Sequence, residues 1–297
     1  MLDMRQQAKS FLENSDYATF EYHGCFDIAA KKEVLLFLKI LLNVDAFQKE
    51  QAKNLKVISN NLDGYPMLIG VQTNREKLRK GIVYERFEMP TLSLETFEEL
   101  ICHGIFPRIY RDRGGMYVEV DSEVMKEARN SKNLTQRELA EAVGINKKVI
   151  YEHEKKQLRM LLSIAEKLES ILDEKIIKNS EIFKKYDSRG STDDAMEKNI
   201  GRNLERMGFK IDFVKQSPLD MFAKEKSLII SDIEVDKRKM KKRAMKLKDF
   251  ISIVKKPALV ITEGMKEDDI LGIPLIERKE LRDIEGKELI KRARKAI

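Results

Sequence analysis

Between Asp121 and Ile176 apolar residues recur every three or four positions, the spacing of one buried helix face. Val124, Met125 and Ala128 predict a helix over Ser122–Asn130. Leu139, Ala140 and Val143 predict one over Gln136–Val143, Val149 and Ile150 one over Lys147–Glu154, and a further apolar period one over Leu161–Leu172. Thr135 with Glu138 three residues on forms a capping box, and Gly144 suits the left-handed residue that ends a helix. Asn146 is placed to cap the helix that follows. Outside this segment the pattern changes to short apolar runs alternating with helical stretches, as in an α/β fold.

The flanks repeat one another. In the first, a helix at Met4–Leu12 and an extended run at Ala18–Tyr22 lead to Phe26-Asp27-Ile28-Ala29-Ala30-Lys31 and Val34–Lys39. A helical segment to Ile58 and the apolar run Tyr65–Val71 follow. In the second, Ile200–Met207 and Lys210–Val214 lead to Leu219-Asp220-Met221-Phe222-Ala223-Lys224 and Leu228–Asp232. A basic helical segment to Ile253 and Lys256–Thr262 follow. Asp27 precedes Pro66 by 39 positions and Asp220 precedes Pro257 by 37. Pro90 and Pro274 each stand before a short helical segment. The runs MLIGV and ALVIT have the continuous apolar character of buried parallel strands.

The order helix, strand, Asp-bearing strand, strand, helix, apolar strand resembles the restriction-endonuclease-like core, also seen in Holliday-junction resolvases. In that family a strand carboxylate and a Glu-x-Lys on the next strand bind Mg²⁺ and position the attacking water. Carried over, Asp27 matches the aspartate, Lys39 the lysine, and Phe37 occupies the glutamate position. In the second repeat Asp220 matches the aspartate, while Ile230 and Asp232 occupy the Glu and Lys positions. Phenylalanine and isoleucine offer no oxygen to a hard cation, so both scaffolds read as degenerate. Glu21, Glu33 and Glu234 remain as conceivable substitutes. No catalytic or metal-binding residue is therefore expected; were the chain a nuclease, Asp27 and Lys39 would carry the chemistry.

The run Leu134-Thr135-Gln136-x-Glu138-Leu139-Ala140-x-x-Val143-Gly144-Ile145-Asn146 closely resembles the Cro/C1-type (XRE) helix-turn-helix family. It departs from that pattern after Glu154, where the usual longer loop is shortened to Lys155-Lys156-Gln157. The resemblance implies DNA binding with Lys147–Glu154 as recognition helix, its first residues reaching base edges in the major groove. Lys147, Lys148, Tyr151 and Glu152 are then the base-reading candidates. Thr135, Gln136, Asn146 and Lys155 are candidates for the DNA backbone. The full layout, including FDIAAKKEVLLFLKILLNVDA, resembles a family of archaeal helix-turn-helix transcriptional regulators. The implied architecture is α+β / α/β multidomain: two degenerate restriction-endonuclease-like domains, 1–116 and 190–297, flanking an all-α Cro/C1-type domain, 117–180.

Charge refines this picture. The 297 residues carry 57 Lys+Arg and 50 Asp+Glu, a net of +7. Residues 1–120 net −1, residues 121–176 net 0 and residues 177–297 net +8. Val235–Lys248 (VDKRKMKKRAMKLK) alone nets +7. Such a run is either a solvated helix face or a polyanion surface; in the second case Lys237, Lys239, Lys241 and Lys242 contact DNA phosphates. Pro107–Arg113 is a smaller basic cluster, equally readable as a hairpin in solvent. Two cysteines and three dispersed histidines indicate neither a disulfide framework nor a zinc site, and suggest a cytoplasmic chain. No cofactor and no membrane contact are expected. The expected partners are double-stranded DNA and a second copy of the chain. A structure-specific Mg²⁺ nuclease and a protein-binding adaptor are the competing readings.

Overall fold

The computed structural model describes Asp3–Ala296 other than Gln157, Val235 and Lys266, with Lys237 described by its backbone alone. In chain order the elements are α1 (Met4–Asn14), β1 (Ala18–Glu21), β2 (Ile28–Lys31), β3 (Leu35–Asn43), α2 (Lys49–Leu62) and β4 (Tyr65–Gln72). Next come β5 (Ile82–Arg86), β6 (Met89–Ser93), α3 (Leu94–His103), β7 (Ile109–Asp112) and β8 (Gly115–Glu119). The helical segment holds α4 (Ser122–Ser131), α5 (Gln136–Val143), α6 (Lys147–Lys155), β9 (Arg159–Leu161) and α7 (Leu162–Leu172). The last third holds α8 (Ala195–Arg206), β10 (Lys210–Phe213), β11 (Met221–Lys224), β12 (Leu228–Ile233), α9 (Lys237–Val254), β13 (Ala258–Thr262), β14 (Asp269–Ile270), β15 (Ile273–Glu277) and α10 (Gly286–Ala293).

The chain divides into two compact units, neither contiguous in sequence. One is built from Met1–Ile40, Ala46–Met67 and Phe183–Ile297, the other from Leu41–Asp45 and Leu68–Ile182.

The first unit contains the second copy of the repeat and, of the first copy, the part from α1 to the start of β4. β1, β2 and β3 form an antiparallel meander, matched by β10, β11 and β12. In each copy the aspartate amide donates to a carbonyl across the ladder, Asp27 to Leu38 (2.7 Å) and Asp220 to Ser231 (3.0 Å). In each the carboxylate then accepts the amide two residues further on, from Ile40 (2.8 Å) or Ile233 (3.0 Å). The matched residues all lie 193 positions apart, so the duplication extends to individual hydrogen bonds. The order β10-β11-β12-β13-β15-β14 completes the second sheet, with β12–β13 and β13–β15 parallel. Pro274 sits inside β15, paired with Asp269 of the edge strand β14. This sheet packs on α8 and α10 through Ile200, Leu204, Leu259, Ile261, Ile276 and Leu289.

Within this unit the two copies grip each other. α9 turns Met240, Ala244, Leu247, Phe250, Ile251 and Val254 inward. Phe250 lies 5.4, 6.0 and 6.5 Å, centroid to centroid, from Phe20, Phe26 and Phe37 of the other copy. In the reverse direction α2 offers Asn54, whose Oδ1 accepts from Lys215 N (3.0 Å), and Asn61, whose Nδ2 donates to Asp212 Oδ2 (3.2 Å). At the centre Cys25 N donates to Gln216 O (2.8 Å) and the Tyr22 hydroxyl to Ser217 O (2.8 Å). Gly24 is required here, since a Cβ would stand 2.0 Å from Gln216 O. Each copy's long helix thus covers the first hairpin of the other. Burial pushes the Cys25 thiol up to about 12, so it fills this seam as an inert apolar group.

In the second unit the rest of β4 pairs in parallel with β6, and β6 antiparallel with β5, as β13, β15 and β14 do. Pro90 lies within β6. β7 and β8 form a hairpin extended antiparallel by β9. β9 replaces the long loop of the helix-turn-helix pattern and sets the start of α7. Met125, Leu139, Ala140, Val143, Ile150, Leu168 and Leu172 close the helical core with Val118 and Met160. Among the described residues no helix is long and apolar enough to cross a membrane.

Phe250→Ala removes the aromatic that joins the two copies. It is expected to cost about 3–5 kcal/mol, read as a lower denaturant midpoint for the far-ultraviolet signal. An unchanged midpoint would show that the seam does not depend on this ring.

Candidate nucleic-acid interface

The capping chemistry read from the sequence positions the two central helices. The Thr135 hydroxyl accepts from Glu138 N (3.2 Å), and Glu138 Oε2 accepts from Thr135 N (2.7 Å). That backbone bond, with the Thr135 hydroxyl, holds the Glu138 carboxyl below its usual range. Gly144 takes φ +78° at the end of α5, a left-handed conformation that glycine adopts without a Cβ clash. The Asn146 side chain accepts from Lys148 N (2.8 Å) and starts α6.

α6 exposes Lys147, Lys148, Tyr151 and Lys155 and buries Ile150 and His153. The exposed residues lie at i, i+1, i+4 and i+8, along one face. Lys155 Nζ stands 4.5 Å from the Tyr151 ring centroid. Glu152 is half-buried and pairs with Lys156 (3.3 Å) one turn on. Two of the candidates for the DNA backbone have committed side chains. The Thr135 hydroxyl donates to Glu138 (2.8 Å) and Gln136 Nε2 donates to Glu154 Oε2 (2.7 Å). What that helix end offers an anion is its backbone amides.

The residue that sequence reasoning missed here is Glu154. Its Oε1 accepts from Arg129 Nε (2.6 Å) and its Oε2 from Arg129 Nη2 (3.2 Å) and Gln136. Arg129 Nη1 also donates to Leu134 O (2.6 Å). The pair is almost fully buried, with side-chain exposures of 10% and 4%. One carboxylate therefore ties α4 and the start of α5 to the end of α6 and fixes the direction of the exposed face. His153 is buried beside it, and desolvation lowers its pKa so that the neutral ring is favoured.

The basic helix is split by its burial. Lys239, Lys241, Lys242, Lys246 and Lys248 are exposed. The Lys237 side chain lies outside the described residues. Arg243 turns the other way. Its Nη2 reaches Asp220 Oδ2 (2.6 Å) and Asp232, its Nε lies 3.0 and 3.1 Å from the Asp232 oxygens, and Glu234 is 3.7 Å away. Burial, with Asp220 nearby, pushes the Asp232 carboxyl above the usual carboxylate range against the pull of Arg243. Of the smaller basic cluster, Arg111 pairs with Glu76 (3.0 Å) and Arg108 donates to Asn179 (3.2 Å) in the β7–β8 region.

The nuclease positions do not form a metal centre. Asp27 is buried, and beyond Ile40 its oxygens meet Lys39 (3.3 Å) and Arg5 (3.6 Å). Phe37 packs its ring edge against Phe26. In the second copy Arg243 holds the two aspartates, and Ile230 is buried carbon. These donor sets do not fit Mg²⁺, which requires several oxygens in near-octahedral array. Among the described residues no group of three or more His, Cys, Asp or Glu is placed to hold a metal ion.

Arg129→Met would leave Glu154 buried with a single amide partner. The expected loss is about 3–5 kcal/mol of local stability, measured as faster amide hydrogen exchange across α5 and α6. Unchanged protection would contradict the role given to the pair.

A family model for the PD-(D/E)XK superfamily domain matches residues 2–107, and a helix-turn-helix model matches residues 125–177. No solved structure matches the chain. The chain is 30% identical over 274 residues to a "Putative HTH-type transcriptional regulatory protein" of Methanocaldococcus jannaschii, covering 88% of this chain and 86% of that one. It is 30% identical over 302 residues to a protein of the same name in Methanobrevibacter smithii (97% and 95% covered). A third, in Methanothermobacter thermautotrophicus, is 31% identical over 270 residues (89% and 85% covered). Identities of 30–31% along most of the length of these relatives, in a chain that itself matches a nuclease-like and a helix-turn-helix model, place it in this family of archaeal HTH-type transcriptional regulatory proteins.

Proposed function

We propose that the protein is a cytoplasmic, sequence-specific DNA-binding transcriptional regulator that reads operator DNA with α6 in the major groove. The observation that carries this reading is the exposed face of Lys147, Lys148 and Tyr151 on a helix whose direction is locked by Glu154 and Arg129. Lys147 and Lys148 suit guanine acceptors, and Glu152 suits a cytosine amino group once it leaves Lys156. The amides that open α5, together with Asn146 and Lys155, hold flanking phosphates, and the exposed lysines of α9 add a sequence-independent attraction. Two copies would read half-sites about one helical turn apart. The hairpin faces of the two flanks are already paired within one chain, so contact between copies would use other surfaces.

A genomic binding selection with the full chain should enrich a defined sequence. Lys147→Ala should relax that preference. Replacing Lys239, Lys241 and Lys242 together by glutamine should weaken binding evenly across sequences. It should also lower the log–log salt slope by about 0.9 for each phosphate no longer neutralised. Recovery of no DNA would favour a protein-binding adaptor, and an unchanged slope would take α9 off the DNA.

Neither flank is assigned catalysis, because Phe37 and Ile230 stand where a metal ligand is needed. Incubation with branched DNA and Mg²⁺ should give no cleavage. Cleavage that Asp27→Ala abolishes would establish a nuclease instead.

A further inference from the structure

Beside the second aspartate pair lies an open cleft of about 420 Å³, lined by Tyr22, Ser217, Pro218, Glu234, Lys239, Lys242, Arg243 and Lys246. Both copies of the repeat contribute to it. Several features of its wall bear on what it could hold. Lys239, Lys242 and Lys246 follow one another at i, i+3 and i+7 on α9, so like charges crowd one stripe. Among the described residues no carboxylate lies within 4.0 Å of Lys242 or Lys246, and Lys239 has only Asp236 at 3.9 Å. Lys246 instead sits 5.0 Å from the centroid of the Tyr22 ring. Arg243 is fixed by Asp220 and Asp232, so this part of the wall is held before any ligand arrives. Tyr22 is itself held, its hydroxyl on Ser217 O and its ring stacked 6.3 Å from Phe20.

We propose that this cleft binds a small phosphorylated anion of mononucleotide size, with phosphates on Lys239, Lys242 and Lys246 and its ring against Tyr22 and Pro218. The cleft volume falls within the range of small-molecule sites, and a few fixed polar groups beside an apolar wall are their usual make-up. Apart from Asp236 beside Lys239, no carboxylate among the described residues pairs with the stripe, which leaves it open to an anion from outside the chain. A bound anion would touch Tyr22 of one copy and α9 of the other. It would therefore strengthen the seam and give the regulator a ligand-dependent state. This assignment stands apart from DNA reading by α6, although Lys239 and Lys242 are also candidates for DNA phosphates.

The test is calorimetric titration of the full chain with ADP and with inorganic pyrophosphate, alone and in the presence of duplex DNA. Saturable binding of ADP, and weaker binding of pyrophosphate, is expected. Lys242→Gln/Lys246→Gln should weaken ADP about tenfold or more, while Lys248→Gln/Lys255→Gln, an equal charge loss outside the cleft, should leave it within about twofold. Glu234→Gln removes a carboxylate from the cleft wall, the one that lines it among the described residues, and should tighten ADP roughly threefold. Absence of saturable binding, equal weakening by both lysine pairs, or looser binding in Glu234→Gln would each overturn the proposal. Duplex DNA is expected to compete with ADP, because Lys239 and Lys242 serve both readings.

Discussion

Phe250 lies among Phe20, Phe26 and Phe37, and the rest of the first unit depends on that burial. α9 carries eight cations in its first twelve residues, and a helix so charged has no reason to be ordered unless its apolar stripe is covered. The other copy's hairpin covers it. Once Phe250 and Leu247 are seated, the helix rotation is fixed. Lys239, Lys242 and Lys246 then face the cleft, while Arg243 is carried over Asp220 and Asp232. The reciprocal contact of α2 with β10 and the turn after it, through Asn61 and Asn54, follows from the same duplication.

That arrangement changes what the nuclease-like scaffold can do. In a metal nuclease a strand carboxylate is left partly unsatisfied until a cation binds. Here both strand aspartates already accept a ladder amide and an internal cation: Lys39 in one copy, Arg243 in the other. Removing those cations would leave buried carboxylates uncompensated, so they are part of the fold's stability. The net positive charge of the scaffold is confined to the second copy, above all to α9. The base reading proposed for α6 would fall to a helical segment with no net charge, held by caps and by Glu154.

Much of this was legible in the sequence because the signals are local. Thr135, Glu138, Gly144 and Asn146 mark helix ends through bonds to their own neighbours, and the structure places α5 and α6 where they indicate. The aspartates of the repeat were legible because the same order of apolar runs and helical stretches surrounds each, with the following proline 39 or 37 positions on. Arg243 was not, since one arginine in a run of eight cations carries no mark of its own. Its spacing of three after Met240 and four before Leu247 does put it at the border of the apolar stripe, a signal that could have been used. Glu154 reads as a solvated charge at a helix end until Arg129, 25 residues earlier, is brought to it. β9 is three residues long and too short for any period. The pairing of the copies is wholly non-local: the stripe on α9 states that it must be covered, and nothing in it states by what.

The central claim is that α6 reads bases in the major groove. Methylation interference at guanine N7, on a duplex enriched by the full chain, addresses it directly. Methylation at a few guanines in each half-site should block binding by the native chain, and one such position should lose its effect in Lys147→Ala. Binding that is indifferent to N7 methylation everywhere, while remaining sensitive to salt, would contradict base reading and leave only an electrostatic association with DNA.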